Sequence, residues 1–131
     1  MILYHYTMGS SFREIERTGE LKSSKHWTAM DAGYGEGWYF TDLNPVICDM
    51  AIAYYCWRNT AYDVLKRIDA YLKFDVDEKI LRKTRDHVYI VKEWDDELIK
   101  YLGGNKKDKC PLLPCETCDK ARMYTIGKPT Y

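Results

Sequence analysis

Two short stretches of the sequence contain residue types that can grip a flat organic cofactor. The first, Leu3-Tyr4-His5-Tyr6-Thr7, places a histidine between two tyrosines. The second, from Gly35 to Pro45, runs from glycines through aromatic residues and leads into the apolar segment 46–57. Because glycine lets the backbone approach a ligand closely, a strand and helix that follow it can form a binding cleft. The bland alternatives are an ordinary glycine turn and a half-buried structural histidine.

Local patterns predict the elements that position these two stretches. Residues 2–7 alternate and are aromatic-rich, which predicts a strand, and residues 37–41 predict a second one. Between them, the capping box Ser11-x-x-Glu14 and a stop at Gly19 predict a helix over about residues 11–18.

The apolar segment after the second strand predicts a helix. Asn44 is the expected cap and Pro45 the first helical residue. One face is then formed by Val46, Met50, Ala53 and Trp57, most of it core, with Ile47, Ala51 and Tyr54 beside it. Residues 59–69 stay undecided, with one or two helical turns possible.

The second half of the chain predicts further strands and one helix. Residues 70–77 alternate as a strand with one buried face, and residues 88–91 are apolar on both faces, as in a central strand. Asp96 is the expected cap of a helix that carries Leu98, Ile99 and Leu102 and ends at Gly103-Gly104, and a last strand lies near residues 122–126. This order of elements predicts an α+β fold.

Composition limits the class of protein. The chain has 131 residues, enough for a single domain over residues 1–131 with one modest core. Its 20 basic and 20 acidic residues cancel, so bulk charge does not favour nucleic acid or a membrane surface. No apolar run reaches the roughly 20 residues that span a bilayer, and no signal peptide is apparent. We therefore expect a cytoplasmic protein that does not bind membranes.

A cluster of cysteines near the carboxyl end supplies fewer ligands than a structural metal site needs. Cys110, Cys115 and Cys118 supply three of the four ligands that structural zinc requires. His26 or His87 is a possible fourth ligand. Exposed thiols, or a loop packed on its prolines, are the blander interpretation.

Taken together, the two stretches resemble motifs of the ADP-ribosyltransferase superfamily. Leu3-Tyr-His5-Tyr-Thr7 and Gly35-x-Gly37-x-Tyr39-Phe40-Thr-Asp42-x-x-Pro45 occur in the family's order, with a helix following and a strand near Asp77. They are most similar to the toxin-type group with the His-Tyr-Asp signature, and the second motif is also similar to the poly(ADP-ribose) polymerase branch. The resemblance covers about residues 2–92. It implies a split β-sandwich of two small sheets with short flanking helices.

The resemblance also implies roles for individual residues, with NAD+ as co-substrate. His5 is expected to bond the 2′-hydroxyl of the adenosine ribose, the backbone of Tyr6 to meet the nicotinamide carboxamide, and Tyr39 to stack on the nicotinamide ring. The other implied NAD+ contacts are Thr7, Gly37 and Tyr54, the last of these as a replacement for the aromatic residue that the polymerase branch has where this chain has Met50.

A third catalytic residue, normally a carboxylate, supports the ribose and can activate the acceptor. Asp77 is the candidate from the His-Tyr-Asp signature. Polymerase-type spacing instead falls on Val88, beside Asp86 and His87. A solvated charge on a strand face is the bland interpretation of Asp77.

The resemblance implies a mono-ADP-ribosyltransferase that transfers ADP-ribose to a protein or nucleic acid, as a toxin-type effector with an antitoxin or immunity partner. Nicotinamide departure passes through an oxocarbenium-like centre, so catalysis lies in holding the ribose and stabilising positive charge. The alternative is a catalytically silent module of the same fold that binds a nucleotide or a partner. An RNA phosphate-processing relative is disfavoured, because no basic set that could grip phosphates is apparent.

Overall fold

One antiparallel sheet organises the chain. The computed structural model describes residues 1–21 and 36–108, and in these residues six strands form a single sheet of order β4-β5-β2-β1-β3-β6. The α+β prediction is confirmed, whereas two separate sheets are not found in the described residues. The strands are β1 Ile2–Thr7, β2 Trp38–Thr41, β3 Ala70–Val76, β4 Arg82–Arg85, β5 Val88–Val91 and β6 Ile99–Lys106.

In the middle of the sheet, the pairing between β1 and β2 is short. Across β1 and β2 a single pair, Tyr4 with Thr41, is in register, whereas β1 and β3 are paired along their length from Ile2–Asp75 to Thr7–Ala70. Strand β2 is likewise paired with β5 along its length. The sheet therefore consists of two three-stranded halves, β4-β5-β2 and β1-β3-β6, that meet at a narrow junction.

Helix α1, Gly9–Thr18, covers one face of the sheet. Its partly buried Phe12 and Ile15 pack against the core on that face. Gly19 ends the helix at φ 70°, and its N–H bonds the Ile15 carbonyl at 2.7 Å, as the predicted stop requires. The predicted capping box is wrong, because the helix begins two residues earlier and Met8 occupies the N-cap without a side-chain bond. The core on this face contains Leu3, Phe40, Leu72, Phe74, Val76, Val91 and Ile99.

Helix α2, Asp49–Trp57, begins later than the sequence predicts. The Asn44 side chain accepts a hydrogen bond from the Val46 N–H at 3.0 Å, which closes a local turn instead of capping a helix. Val46 is consequently 85% exposed and does not join the apolar face. Cys48 is the actual N-cap residue.

The segment that the sequence left undecided is helical. It forms the single turn α3, Tyr62–Leu65, and a 3-10 turn, Lys66–Ile68. With α2, these turns cover the second face of the sheet, where the buried residues are Tyr6, Leu43, Ile52, Ala53, Val64 and Ile68. A buried ion pair between Lys107 and Asp49, 2.8 Å apart, ties the end of β6 to the start of α2.

The predicted helix at Asp96 is wrong, because Ile99–Lys106 is strand β6. It pairs with the edge of β3, and the register shifts opposite Lys73 and Phe74, near the two glycines. Gly103 has φ 104°, which glycine adopts readily, and a side chain at Gly104 would meet the Tyr71 carbonyl. Tertiary pairing with an open strand edge has overridden the local helix signal.

The last two expectations concern the position of β5 in the sheet and helices that could span a membrane. Strand β5 lies between β4 and β2, as its apolar pattern predicts. Within residues 1–21 and 36–108, no helix is long and apolar enough to cross a membrane.

Close packing against β5 requires a glycine at position 37, and this requirement gives a first testable prediction. A Cβ at this position would lie 2.8 Å from both the Ile90 side chain and the Val91 carbonyl of β5. We expect Gly37→Ala to lower the free energy of unfolding by about 1–3 kcal/mol, because β2 must shift from its neighbour. Chemical denaturation measures this change.

Gly9→Ala is the matched control, since its Cβ would meet nothing nearer than 3.9 Å. Equal stability of the two variants would show that the β2–β5 contact is loose.

Candidate functional site

His5 lies at the junction between the two halves of the sheet. Its Nδ1 is 3.0 Å from the Tyr39 carbonyl oxygen, so this side chain bridges β1 to β2 where strand pairing stops. A carbonyl oxygen can only accept, and Nδ1 must therefore carry the hydrogen. In the neutral ring Nε2 is then an acceptor, and no described residue bonds it. Such an atom can receive a hydrogen bond from a ligand hydroxyl.

The environment of His5 keeps the ring neutral. Burial lowers the pKa of His5 below its usual value of 6.5, and the bond to the Tyr39 carbonyl opposes this shift more weakly. At neutral pH the imidazole is thus an uncharged acceptor at Nε2.

Two recesses meet at His5. The smaller, about 70 Å³, lies between the strand junction and the end of α2, and is lined by Tyr4, His5, Tyr6, Tyr39, Phe40, Thr41, Cys56, Trp57 and Val88. The larger, about 430 Å³, lies against α1 and is lined by His5, Thr7, Ser11, Glu14, Ile15, Thr18, Glu20 and Leu21. Only the larger falls in the range of about 300–1,000 Å³ that is typical of ligand pockets.

Tyr39 and His5 share the smaller recess but project from opposite faces of the sheet. Thr41 pairs with Tyr4, and side chains alternate along a strand, so Tyr39 lies on the Tyr4 face. The His5 ring lies on the other face, edge-on to Phe40 at 6.3 Å between ring centres. The structure therefore brings the two residues together through the Tyr39 backbone. The prediction that Phe40 is the core residue of this pair is confirmed, because Phe40 is buried.

Of the other residues assigned to NAD+, two are buried in the fold and one lines the larger recess. Tyr6 is buried, and its hydroxyl donates to the Leu43 carbonyl at 2.6 Å. Burial raises the pKa of Tyr6, so the phenol stays protonated and only its backbone is available to a ligand. Thr7 lines the larger recess. Gly37 is buried against β5, so its missing side chain is explained by strand packing.

The smaller recess is lined from α2 by Trp57 and not by Tyr54. Tyr54 does not line the smaller recess; its ring meets Tyr55 at 5.2 Å and lies under the Arg58 guanidinium at 5.8 Å. Trp57, one turn further along α2, lines the recess with Tyr4. The signal for Trp57 was present in the expected helix face, but that face was assigned to the core.

Asp77 is not brought to His5. It follows β3, and its side chain accepts from the Lys79 N–H at 3.0 Å, which caps a 3-10 turn. His5 pairs with Leu72, so five residues of extended strand, roughly 16 Å, separate the two positions. No contact in the described residues joins Asp77 to either recess, and its catalytic role stays a prediction.

The polymerase-type third position lies in the smaller recess and has no carboxylate. Val88 is buried there, paired with Thr41. Directly beside it, the Asp42 carboxylate bonds the His87 ring, a contact that sequence reasoning missed. Asp42 stood in the second motif and His87 beside Val88, but only the pairing of β2 with β5 brings them together.

The described residues contain no group of side chains that could hold a metal ion. Cys48 and Cys56 form no disulfide within the described residues. The zinc candidates Cys110, Cys115 and Cys118, together with His26, lie outside the described residues, as do Gly35 and the predicted strand at 122–126.

The depressed pKa of His5 predicts a pH-dependent stability. As pH falls below 6.5, the unfolded chain binds a proton at His5 before the folded chain does, so the folded state loses stability. We expect wild type to lose more stability between pH 7 and 5 than His5→Gln, which does not titrate. Urea unfolding at several pH values measures this difference.

A comparison at pH 8, where His5 is neutral in both states, is the internal control. Parallel pH dependences of the two proteins would contradict the depressed pKa.

Comparison of the chain with protein-family models, with curated proteins and with solved structures found no match.

Proposed function

We propose that this chain cleaves the bond between nicotinamide and ribose in NAD+ and transfers ADP-ribose to a macromolecule in the cytoplasm. The observation that carries the proposal is the neutral His5 ring, whose Nε2 is an acceptor at the meeting point of two recesses. A ribose hydroxyl is a fitting donor for this atom. The residues around it, Tyr6, Thr7 and Tyr39, are those that the motif resemblance assigns to NAD+.

The two recesses suit the two ends of a dinucleotide. The larger, at about 430 Å³, has room for the adenosine part beside Thr7 and α1. The smaller, at about 70 Å³, holds roughly two water molecules at about 30 Å³ each. Nicotinamide therefore enters only if an aromatic side chain moves, and Trp57 near the end of α2 is the side chain best placed to do so. Such rotamer changes commonly accompany binding.

The narrow sheet junction supports the same proposal. Because β1 and β2 are in register only at Tyr4 and Thr41, the ladder stops beside His5, where the smaller recess lies. Paired strands have no space between them for a ligand. This short ladder is the feature of the single sheet that most closely corresponds to the split sandwich expected from the resemblance.

Val88 favours a second candidate, a catalytically silent module of the same fold. It places an apolar side chain at the polymerase-type third position, and Asp77 is engaged in a local cap. A silent module would bind NAD+ or another nucleotide at His5 without releasing nicotinamide.

Tyr39 provides a test of NAD+ binding. Tyr39→Ala removes an aromatic wall of the smaller recess, and we expect NAD+ affinity to fall by about 1–3 kcal/mol, by analogy with bases stacked on aromatic side chains. Isothermal titration calorimetry measures the affinity.

Tyr62→Ala is the matched control, because Tyr62 is 76% exposed on α3 and lines neither recess at His5. Equal NAD+ affinity of folded Tyr39→Ala and wild type would remove Tyr39 from the site.

The transfer reaction has a direct test. Pure protein is incubated with NAD+ labelled in the adenylate part and with cell lysate, which is then separated into protein and nucleic-acid fractions. We expect label in one fraction with wild type and none with His5→Ala, because the ribose loses its hydrogen-bond acceptor. Circular dichroism of His5→Ala shows whether the fold persists.

Binding of NAD+ without labelling or nicotinamide release would favour the silent module. If transfer is observed and expression harms the host, a protective antitoxin or immunity protein is the expected partner.

A further inference from the structure

Three polar side chains meet at the end of the β4–β5 hairpin. The Asp42 carboxylate, just after β2, is 2.7 Å from His87 Nδ1 through Oδ1 and 3.3 Å from the Tyr89 hydroxyl through Oδ2. The Tyr55 ring of α2 packs edge-on to the His87 ring, with 4.8 Å between centres. Asp42 and Tyr55 thus contact the imidazole directly, and Tyr89 binds the carboxylate that orients it.

This arrangement determines which nitrogen of His87 is available. The carboxylate accepts, so Nδ1 carries the hydrogen, and Nε2 of the neutral ring is left as a base. No described residue bonds Nε2, and the side chain is 40% exposed. Burial first, and then the Asp42 carboxylate, raise the pKa of Tyr89, so the phenol remains a donor to Asp42 and does not compete as a base.

The contact between Asp42 and His87 adds little stability to the fold. His87 adopts φ 65° in the turn between β4 and β5, a left-handed conformation that is uncommon for most residues but enriched for histidine, asparagine and aspartate. A hydrogen bond as exposed as that between Asp42 and His87 contributes little to the free energy of unfolding. Its main effect is to fix the orientation of the imidazole.

The cluster lies beside the smaller recess at His5. Asp42 follows Thr41, His87 precedes Val88 and Tyr55 precedes Cys56 in the chain, and these three neighbours all line that recess. Strand spacings put the backbone of His87 roughly 12 Å from that of His5. His5 and His87 thus both lie next to the recess proposed for nicotinamide.

We propose that His87 is the general base of the transfer reaction and that Asp42 is the residue that positions it. This inference rests on the proposed NAD+ chemistry and supplies the function that the resemblance assigned to Asp77. As the acceptor oxygen or nitrogen forms its bond to ribose C1′, its proton passes to His87 Nε2. The bond from C1′ to the nicotinamide nitrogen breaks at the same centre, and its electron pair leaves with neutral nicotinamide.

A base in this position defines the chemical class of the acceptor. A carboxylate attacks without losing a proton and has no use for His87. A hydroxyl or an N–H group is a weak nucleophile until a base removes its proton. The acceptor is therefore an O–H or N–H nucleophile.

The test uses water and azide as defined acceptors. Release of nicotinamide from NAD+ is followed for wild type, His87→Gln, Asp42→Asn and the control Asp63→Asn, which removes an exposed carboxylate on α3. With water, we expect kcat to fall about a hundredfold or more in His87→Gln and in Asp42→Asn, with KM for NAD+ unchanged.

Azide distinguishes a general base from a residue that only stabilises the fold. It carries no proton, so added azide should restore nicotinamide release in His87→Gln, with ADP-ribosyl azide as the product. Unchanged kcat in His87→Gln, loss of kcat without azide rescue, or NAD+ binding by wild type with no release to either nucleophile would each overturn the dyad while leaving NAD+ binding intact. Absence of NAD+ binding by wild type would overturn the proposed function itself and the dyad with it.

Discussion

A hydrogen bond from His5 to the Tyr39 carbonyl stands where the β1–β2 ladder stops, and the candidate site depends on it. It joins the two halves of the sheet, selects the tautomer of the imidazole, and leaves an acceptor nitrogen at the mouths of two recesses. Without it, only the Tyr4–Thr41 pair holds β1 to β2 in register. The same contact therefore serves the fold and the proposed chemistry, and variants of His5 have to be assessed for both.

The two histidines of the described residues are oriented by different partners, which suits them to different tasks. His5 donates to a neutral carbonyl in a buried setting that lowers its pKa, so it is suited to hold a hydroxyl without becoming charged. His87 donates to the Asp42 carboxylate in an exposed setting, so its ring is oriented by a charged partner and its Nε2 faces solvent. One ring would orient the substrate while the other accepts a proton.

The sequence by itself determined the elements whose signals are local. Strand β1, helix α1 with its Gly19 stop, and the alternating β3 follow from periodicity and turn chemistry, which depend on neighbours a few residues away. His5 and Tyr39 could be selected as candidates for the same reason, since their motifs are contiguous. The Asn44 turn was misjudged because a capping side chain and a turn-closing side chain look alike in sequence.

Only the tertiary structure decided what depends on pairing between distant segments. Strand β6 exists because β3 offers an open edge, despite a local pattern that favoured a helix. The opposite faces of His5 and Tyr39, the place of Trp57 in the recess, and the distance of Asp77 all follow from strand register. The Asp42–His87 contact joins residues 45 positions apart, and because such closure is specified by the packing of whole strands, no local pattern encodes it.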